Sequence, residues 1–261
     1  MEARLEDALL RCEKGTTATL GFLSAAERAE VERLLRMRGV SRWDAWGGYA
    51  DAERVLVLLP PPYLEEFFPT WGATEGDEPT EYLAEARSEA VASVRIVGSG
   101  YRKLSHRDYL GSLLGLGLER DVLGDIALQN DREAVVFCAP HIVGFLCEEL
   151  KKVASDTVRC LPYVPDAAFT DGRSYLPIRT TVASLRLDCV VAALTNHSRE
   201  ATQRAILTGT VEVNHEVCER ADRFLTPPTT LSVRGEGRFY LRSVEGDTRK
   251  GRIRIFAEKL V

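Results

Sequence analysis

The chain has 261 residues, 45% of them apolar, which excludes a disordered protein and, at ~100–200 residues per domain, allows two or three small domains. No apolar run approaches the ~18–20 residues of a membrane span, and the opening segment mixes charges with its apolar residues, so neither a transmembrane helix nor a signal peptide is expected and the location is expected to be cytoplasmic. The net charge of −5 is uneven: residues 1–90 carry 10 Lys/Arg against 18 Asp/Glu, residues 91–173 carry 10 against 11, and residues 174–261 carry 14 against 10. This excludes a uniformly basic nucleic-acid coat and points to a polyanion-binding module at the end of an otherwise acidic chain.

The first elements are helical. Leu5, Leu9 and Leu10 recur at helical spacing, and Ser24 to Arg38 is a helix whose Ser24 and Glu27 form a capping box and which Gly39 stops. Arg42 to Tyr49 reads as a loop whose aromatics either pack or form a contact surface, packing being preferred. Arg54 to Leu59 is a short buried strand closed by Pro60, Pro61 and Pro62. Between Trp71 and Pro79 the residues Gly72, Glu75, Gly76, Asp77 and Glu78 have loop composition, placing a domain boundary there or just after.

From Ala90 the order is strand (Ala92 to Val97), helix (Ser105 to Leu116), strand (Asp125 to Leu128), strand (Ala134 to Cys138), helix (His141 to Val153) and strand (Thr157 to Leu161). This βαββαβ order is ferredoxin-like and is shared by RRM-type RNA binders. The aromatics such a sheet needs for base stacking are missing, since Ala134 to Cys138 offers only Phe137. Whether this domain touches RNA stays open. Pro162, Pro165, Gly172 and Pro177 mark a second linker. The fold class is therefore α+β, with an N-terminal α/β domain (1–88), a ferredoxin-like, RRM-like middle domain (89–173) and a basic end (174–261).

In that end, Leu185 to Leu194 is a short amphipathic helix. A second helix follows, capped by Ser198 and ended by Gly209, with Val211 to Asn214 a strand leaving it. Arg199, Gln203 and Arg204 lie at i, i+4 and i+5, while Ala201, Ala205 and Ile206 point inward, so one face is apolar and the other presents two guanidiniums and an amide. Leu231 to Phe239, with Arg234, Gly235, Gly237 and Arg238, and then Arg249, Lys250, Gly251, Arg252 and Arg254, read as hairpin strands with basic loops. Arg forks pair with phosphate oxygens, and glycines let the backbone approach the sugar-phosphate chain. The bland alternative is that Arg186 pairs with Asp188 and that the hairpin is a solvated face.

The Arg186-Leu187-Asp188 helix start, the Ser198-Arg199 helix start, then Gly209, the strand and Asn214, resemble the S4 RNA-binding domain over about 85 residues. Trp46-Gly47-Gly48-Tyr49-Ala50-Asp51-Ala52-Glu53-Arg54, Leu104 to Arg120 and Leu123-Gly124-Asp125-Ile126 resemble the YlmH family of bacterial S4-domain proteins, and that resemblance covers nearly the whole chain. It implies binding to rRNA and tRNA on large ribosomal subunits blocked by peptidyl-tRNA, in the quality-control pathway that adds alanine tails to stalled chains, and a link to cell division. The candidate RNA contacts are Arg186, Ser198, Arg199, Gln203, Arg204, Asn214, Arg234, Gly235, Gly237, Arg238, Arg249, Lys250 and Arg252, in a chain taken as a monomer.

Catalytic readings are weaker. Ser105-His106-Arg107-Asp108 invites a His106–Asp108 pair, but i and i+2 on a helix do not face one another, so Ser105 and Asp108 are read as a capping box. Arg186-Leu187-Asp188 is similar to the catalytic Arg-Leu-Asp of S4-linked pseudouridine synthases, although only 73 residues follow Asp188 and the S4-like elements fill them. The glycines at 115, 117 and 124 form no dinucleotide fingerprint, and no Walker pattern exists. Cys12, Cys138, Cys147, Cys160, Cys189 and Cys218 lack metal spacing and read as reduced thiols, mostly in the core. No metal or other cofactor is expected.

Overall fold

The structure, a computed structural model, describes residues 1–70, 79–166, 169–214, 216–249 and 251–261. The loop expected from Trp71 to Glu78 lies outside the described residues. The protein is α+β and divides into two compact units, Met1–Gly172 and Arg173–Val261.

The first unit opens with α1 (Glu2–Glu13), β1 (Ala18–Leu23), α2 (Ala25–Met37), β2 (Asp44–Trp46), β3 (Val55–Leu59) and, after a 3₁₀ turn, α3 (Glu81–Ala90). The capping box of Ser24 and Glu27 is formed, and Gly39 follows α2 at a positive φ of 71°. Two of the helical leucines are less buried than the periodicity predicts: α1 buries Leu5, Ala8 and Cys12, and Leu10 is exposed. The strand β1 and helix α3 were not legible in the sequence.

The sheet β1-β3-β2 is antiparallel, with β3 central. Its Val55-Leu56-Val57-Leu58-Leu59 run is buried throughout because both faces are covered. Val57 and Leu59 join the core with Leu5, Leu34 and Leu35 of the two helices. Leu56 and Leu58 face the other way, with Phe22.

The second half of this unit follows the expected order: β4 (Ala92–Gly98), α4 (His106–Gly115), β5 (Leu123–Asn130), β6 (Glu133–Cys138), α5 (Ile142–Glu149), β7 (Lys152–Val153) and β8 (Asp156–Tyr163). The helix read as far as Val153 ends four residues earlier, at Glu149, and Lys152–Val153 instead pair with β8. The sheet runs β5-β6-β4-β8-β7, the strand order of a ferredoxin-like unit. Alternation divides its faces. Val94, Ile96, Ala134, Val136 and Cys138 pack under α4 and α5. Ala127, Val135 and Phe137 face Phe22, Leu56 and Leu58 of the first sheet.

That second face is the one an RRM would offer to bases. Here Phe137 is fully buried and stacks on Tyr49 at 5.0 Å, so the sheet is closed to nucleotides. The residues read as a first and a middle domain thus share a core within one compact unit.

A buried carboxylate pins the two halves together. Asp125 on β5 accepts hydrogen bonds from Tyr49 Oη at 2.7 Å, Glu53 N at 2.7 Å and Arg54 N at 3.0 Å. The Arg54 guanidinium donates to the carbonyls of Phe22, Arg120 and Leu123. Gly48 has φ 102°, and a Cβ there would sit 2.2 Å from Phe137 Cδ1, so only glycine fits. The Trp46-to-Arg54 and Leu123-to-Ile126 segments are therefore one internal clasp.

The second unit contains β9 (Tyr175–Val182), α6 (Leu187–Thr195), α7 (Arg199–Leu207), β10 (Val211–Val213), β11 (Glu216–Val217), β12 (Thr229–Val233), β13 (Gly237–Asp247) and β14 (Ile253–Leu260). The sheet order is β11-β10-β12-β13-β14-β9, antiparallel throughout. The expected linker is shorter than its prolines suggest, because Pro162 lies in β8 and Pro177 in β9. Pro177 is tolerated because β9 is an edge strand. Helix α6 starts at Leu187, not Leu185, and Leu187, Val190, Val191 and Leu194 join Ile206 of α7 over Leu231, Phe239 and Ile255 of the sheet.

Among the described residues no helix is long and apolar enough to cross a membrane, and no cluster of His, Cys, Asp or Glu could hold a metal ion. Cys12, Cys138, Cys160 and Cys218 are buried, and burial pushes the Cys138 thiol up to about 12.

Candidate nucleic-acid interface

The basic unit is organised around one carboxylate. Asp188, in the first turn of α6, is fully buried. Its Oδ1 accepts from Arg186 Nε at 3.1 Å, and its Oδ2 accepts from Arg186 Nη2 at 3.2 Å, Arg199 Nε at 3.0 Å and Gln203 Nε2 at 2.8 Å. Burial alone would raise this acid. The hydrogen bonds from Arg186, Gln203 and Arg199, with the Arg199 charge, outweigh it and hold Asp188 well below the usual carboxylate range.

Three of the expected RNA contacts are thus held by an internal acid. The sequence made Arg186 pairing with Asp188 the bland alternative, and that pairing is present. It does not withdraw the cations from the surface, since the Arg199 side chain remains 57% exposed beside a fully buried carboxylate. The convergence of Arg199 and Gln203 on Asp188 was missed. Their i, i+4 spacing puts both on one face of α7, which is the signal that could have revealed it.

Helix α7 is placed by its cap and its apolar face. Ser198 Oγ accepts from Ala201 N at 3.2 Å, so this candidate is spent on capping. Ile206 is fully buried, as is Thr202, whose hydroxyl donates to the Ser198 carbonyl. Arg204 is exposed, and its guanidinium has no hydrogen-bond or ion-pair partner among the described residues.

The β12–β13 hairpin turns through Arg234, Gly235 and Glu236, with Val233 opposite Gly237. Gly235 within the turn and Gly237 just after it both take positive φ, which favours glycine. Arg234 is exposed and its backbone N–H donates to Thr210. His197 Nε2 lies 3.1 Å from Glu236 Oε1, which joins the hairpin tip to the start of α7. That contact was not foreseen. Arg186, Arg199 and Gln203 are thus fixed by one buried acid, Arg204 is exposed on the same helix as Arg199 and Gln203, and Arg234 is exposed in the hairpin whose Glu236 reaches His197.

The other candidates do not join it. Asn214 sits at φ 50° and its side chain accepts from Thr230 N at 2.9 Å, so it forms a turn. Arg238 is partly buried and is not free of partners. Arg249 and Arg252 follow the far end of β13, whose 11 residues separate them from Arg234 by roughly 30 Å at ~3.3 Å per residue. Arg252 is spent on Thr181, donating to its carbonyl at 2.6 Å and its hydroxyl at 3.0 Å. Lys250 lies outside the described residues.

The Ser105-His106-Arg107-Asp108 motif in the first unit resolves as structure. Ser105 and Asp108 form the expected capping box, and Asp108 is also approached by Arg102, so the carboxylate is occupied at the helix start.

Comparison with known proteins gives three findings. Residues 94–163 match the family described as "Putative RNA-binding domain in YlmH". Over 214 residues the chain is 29% identical to the Bacillus subtilis protein named "Ribosome-associated protein quality control protein P2", covering 82% of this chain and 76% of that one. A solved structure named "Cell division protein ylmH from Streptococcus pneumoniae" aligns with 62% of this chain and 90% of its own at 18% identity, with a TM-score of 0.43.

Proposed function

Starting from the chain's place in the YlmH family, we propose that it is a non-catalytic RNA-binding protein that acts on the ribosome. Its S4-like end engages rRNA and tRNA on the large subunit, as a monomer, and serves the rescue or quality control of subunits blocked by peptidyl-tRNA in the alanine-tailing pathway. The observation that carries this reading is the arrangement about Asp188: a buried acid fixes Arg186, Arg199 and Gln203 in place, while Arg204 of the same helix and Arg234 of the β12–β13 turn stay exposed. A guanidinium already oriented by one oxygen loses less entropy when it meets a phosphate. The name of the Bacillus subtilis relative, a ribosome-associated quality control protein, supports the same direction.

The burial of Asp188 beneath three hydrogen-bonding side chains favours this reading over the pseudouridine-synthase alternative, which needs that acid to meet a base. The test is sedimentation of the intact protein with purified large subunits, with and without peptidyl-tRNA, over a salt series. Tight, salt-sensitive binding that peptidyl-tRNA strengthens, and that Arg204→Ala with Arg234→Ala weakens, is expected. Binding absent in every condition would overturn the reading and favour an interaction role in cell division.

A further inference from the structure

The matched residues 94–163 carry the description of an RNA-binding domain, yet the sheet face that an RRM uses is covered. An aromatic side chain suited to a base is found instead at the edge of this region, in the loop Gly98-Ser99-Gly100-Tyr101-Arg102-Lys103 between β4 and α4. Tyr101 is 87% exposed. Its ring and hydroxyl have no partner among the described residues.

The loop is held from both sides. Gly98 N donates to the Arg132 carbonyl at 2.7 Å, Ser99 N to the Thr157 carbonyl at 3.0 Å, and Leu104 N to the Asp131 carbonyl at 2.8 Å. Ser99 Oγ donates to the buried Asp156 and accepts from Tyr101 N at 3.2 Å. Leu104 closes the loop by burial in the core under α4. A ring on this short, braced loop therefore projects into water from a fixed base.

Cations surround it. The Arg132 Nη1 lies 3.7 Å from where a Cβ on Gly100 would be, next to Tyr101 in sequence; Arg102 and Lys103 follow directly, and Arg107 lies in the first turn of α4. Lys103 pairs with Asp131, and Arg102 makes long contacts with Ser155 and Asp108. Arg107 and Arg132 have no side-chain partner among the described residues. An exposed ring flanked by free guanidiniums and a glycine backbone has the chemistry that holds an unpaired nucleotide: stacking on the ring and charge on the phosphate.

We propose that this loop is a second RNA contact, in which Tyr101 stacks on an unpaired base while Arg132 and Arg107 take the flanking phosphates. It rests on the reading that the chain binds RNA, but it uses residues of the first unit, none of them among those around Asp188. A protein ligand is the competing occupant, and it would show no preference between single-stranded and duplex RNA.

The test uses the full chain and two fluorescein-labelled probes, a mixed-sequence single-stranded RNA of about 16 nucleotides and a blunt duplex of the same sequence. Tyr101→Ala is expected to weaken single-strand binding about ten-fold, with Tyr101→Phe retaining it, the duplex unaffected and the thermal midpoint unchanged. Arg132→Ala should lower the salt dependence of single-strand binding. With 4-thiouridine in the single strand, photocrosslinks should map to the peptide bearing Tyr101. Wild-type affinity in Tyr101→Ala, equal losses on both probes, or no crosslink to residues 99–103 would each overturn the proposal. If Arg204→Ala abolishes binding in that case, the function proposed above stands without it; a wild-type chain that binds neither probe overturns both.

Discussion

Asp125 in the first unit and Asp188 in the second are both buried, hydrogen-bonded carboxylates, and the two are used in opposite ways. Asp125 is satisfied from within, by two backbone N–H groups and a tyrosine hydroxyl, and it joins two sheets. Asp188 is satisfied from the surface, by two guanidiniums and an amide whose other atoms reach solvent. A buried acid paired inward fixes a fold, whereas one paired outward fixes a surface. The distinction is measurable, because losing the first should cost stability alone, and losing the second should cost stability and recognition together.

The largest effect is expected from Asp125→Ala. It leaves Glu53 N, Arg54 N and the Tyr49 hydroxyl without an acceptor, which should destabilise the first unit by about 3–5 kcal/mol in urea unfolding. The second unit should keep its unfolding transition. Asp188→Asn should cost the second unit about 2–3 kcal/mol, because charge-assisted hydrogen bonds become neutral ones. It should also weaken large-subunit binding, as Arg199 and Gln203 lose their common anchor; unchanged binding would break the comparison.

Acid separates the two roles further. Because Asp188 is held below its unfolded value, its contribution is fully present above the unfolded carboxylate value of ~3.9 and is lost as pH falls below it. The second unit of wild-type protein should therefore lose stability between about pH 4 and lower values, and Asp188→Asn should flatten that part of the profile. The smallest effect on the fold belongs to Arg204→Ala with Arg234→Ala. Both side chains are exposed, so stability should stay within about 0.5 kcal/mol while the slope of log affinity against log salt falls by about 2.

Periodicity and caps carried much of the fold. The Ser24–Glu27 and Ser105–Asp108 boxes and the βαββαβ order follow from local rules that tertiary packing reinforced. What failed was set at long range. Strand β9 was hidden by Pro177, which only an edge position excuses, and β1 carries no turn signal that separates it from the helices around it. The candidate site was half legible: the residue types were right, but a linear reading could not show that β13 holds Arg249 and Arg252 far from Arg234, or that three side chains meet on Asp188. The exposed Tyr101 gave no periodic signal, since a loop residue belongs to no repeating pattern.

The covered sheet face also has a consequence in time. Phe22, Leu56 and Leu58 complete their core only with Val135 and Phe137. During synthesis at about 5–20 residues per second, roughly 4–15 s pass between the appearance of Leu58 and that of Val135. For that interval the first sheet carries an apolar face covered only by earlier residues such as Phe68 and Leu83, without the strands that complete it. A nascent chain arrested within this window would present that face to whatever surrounds the exit of the ribosome that made it.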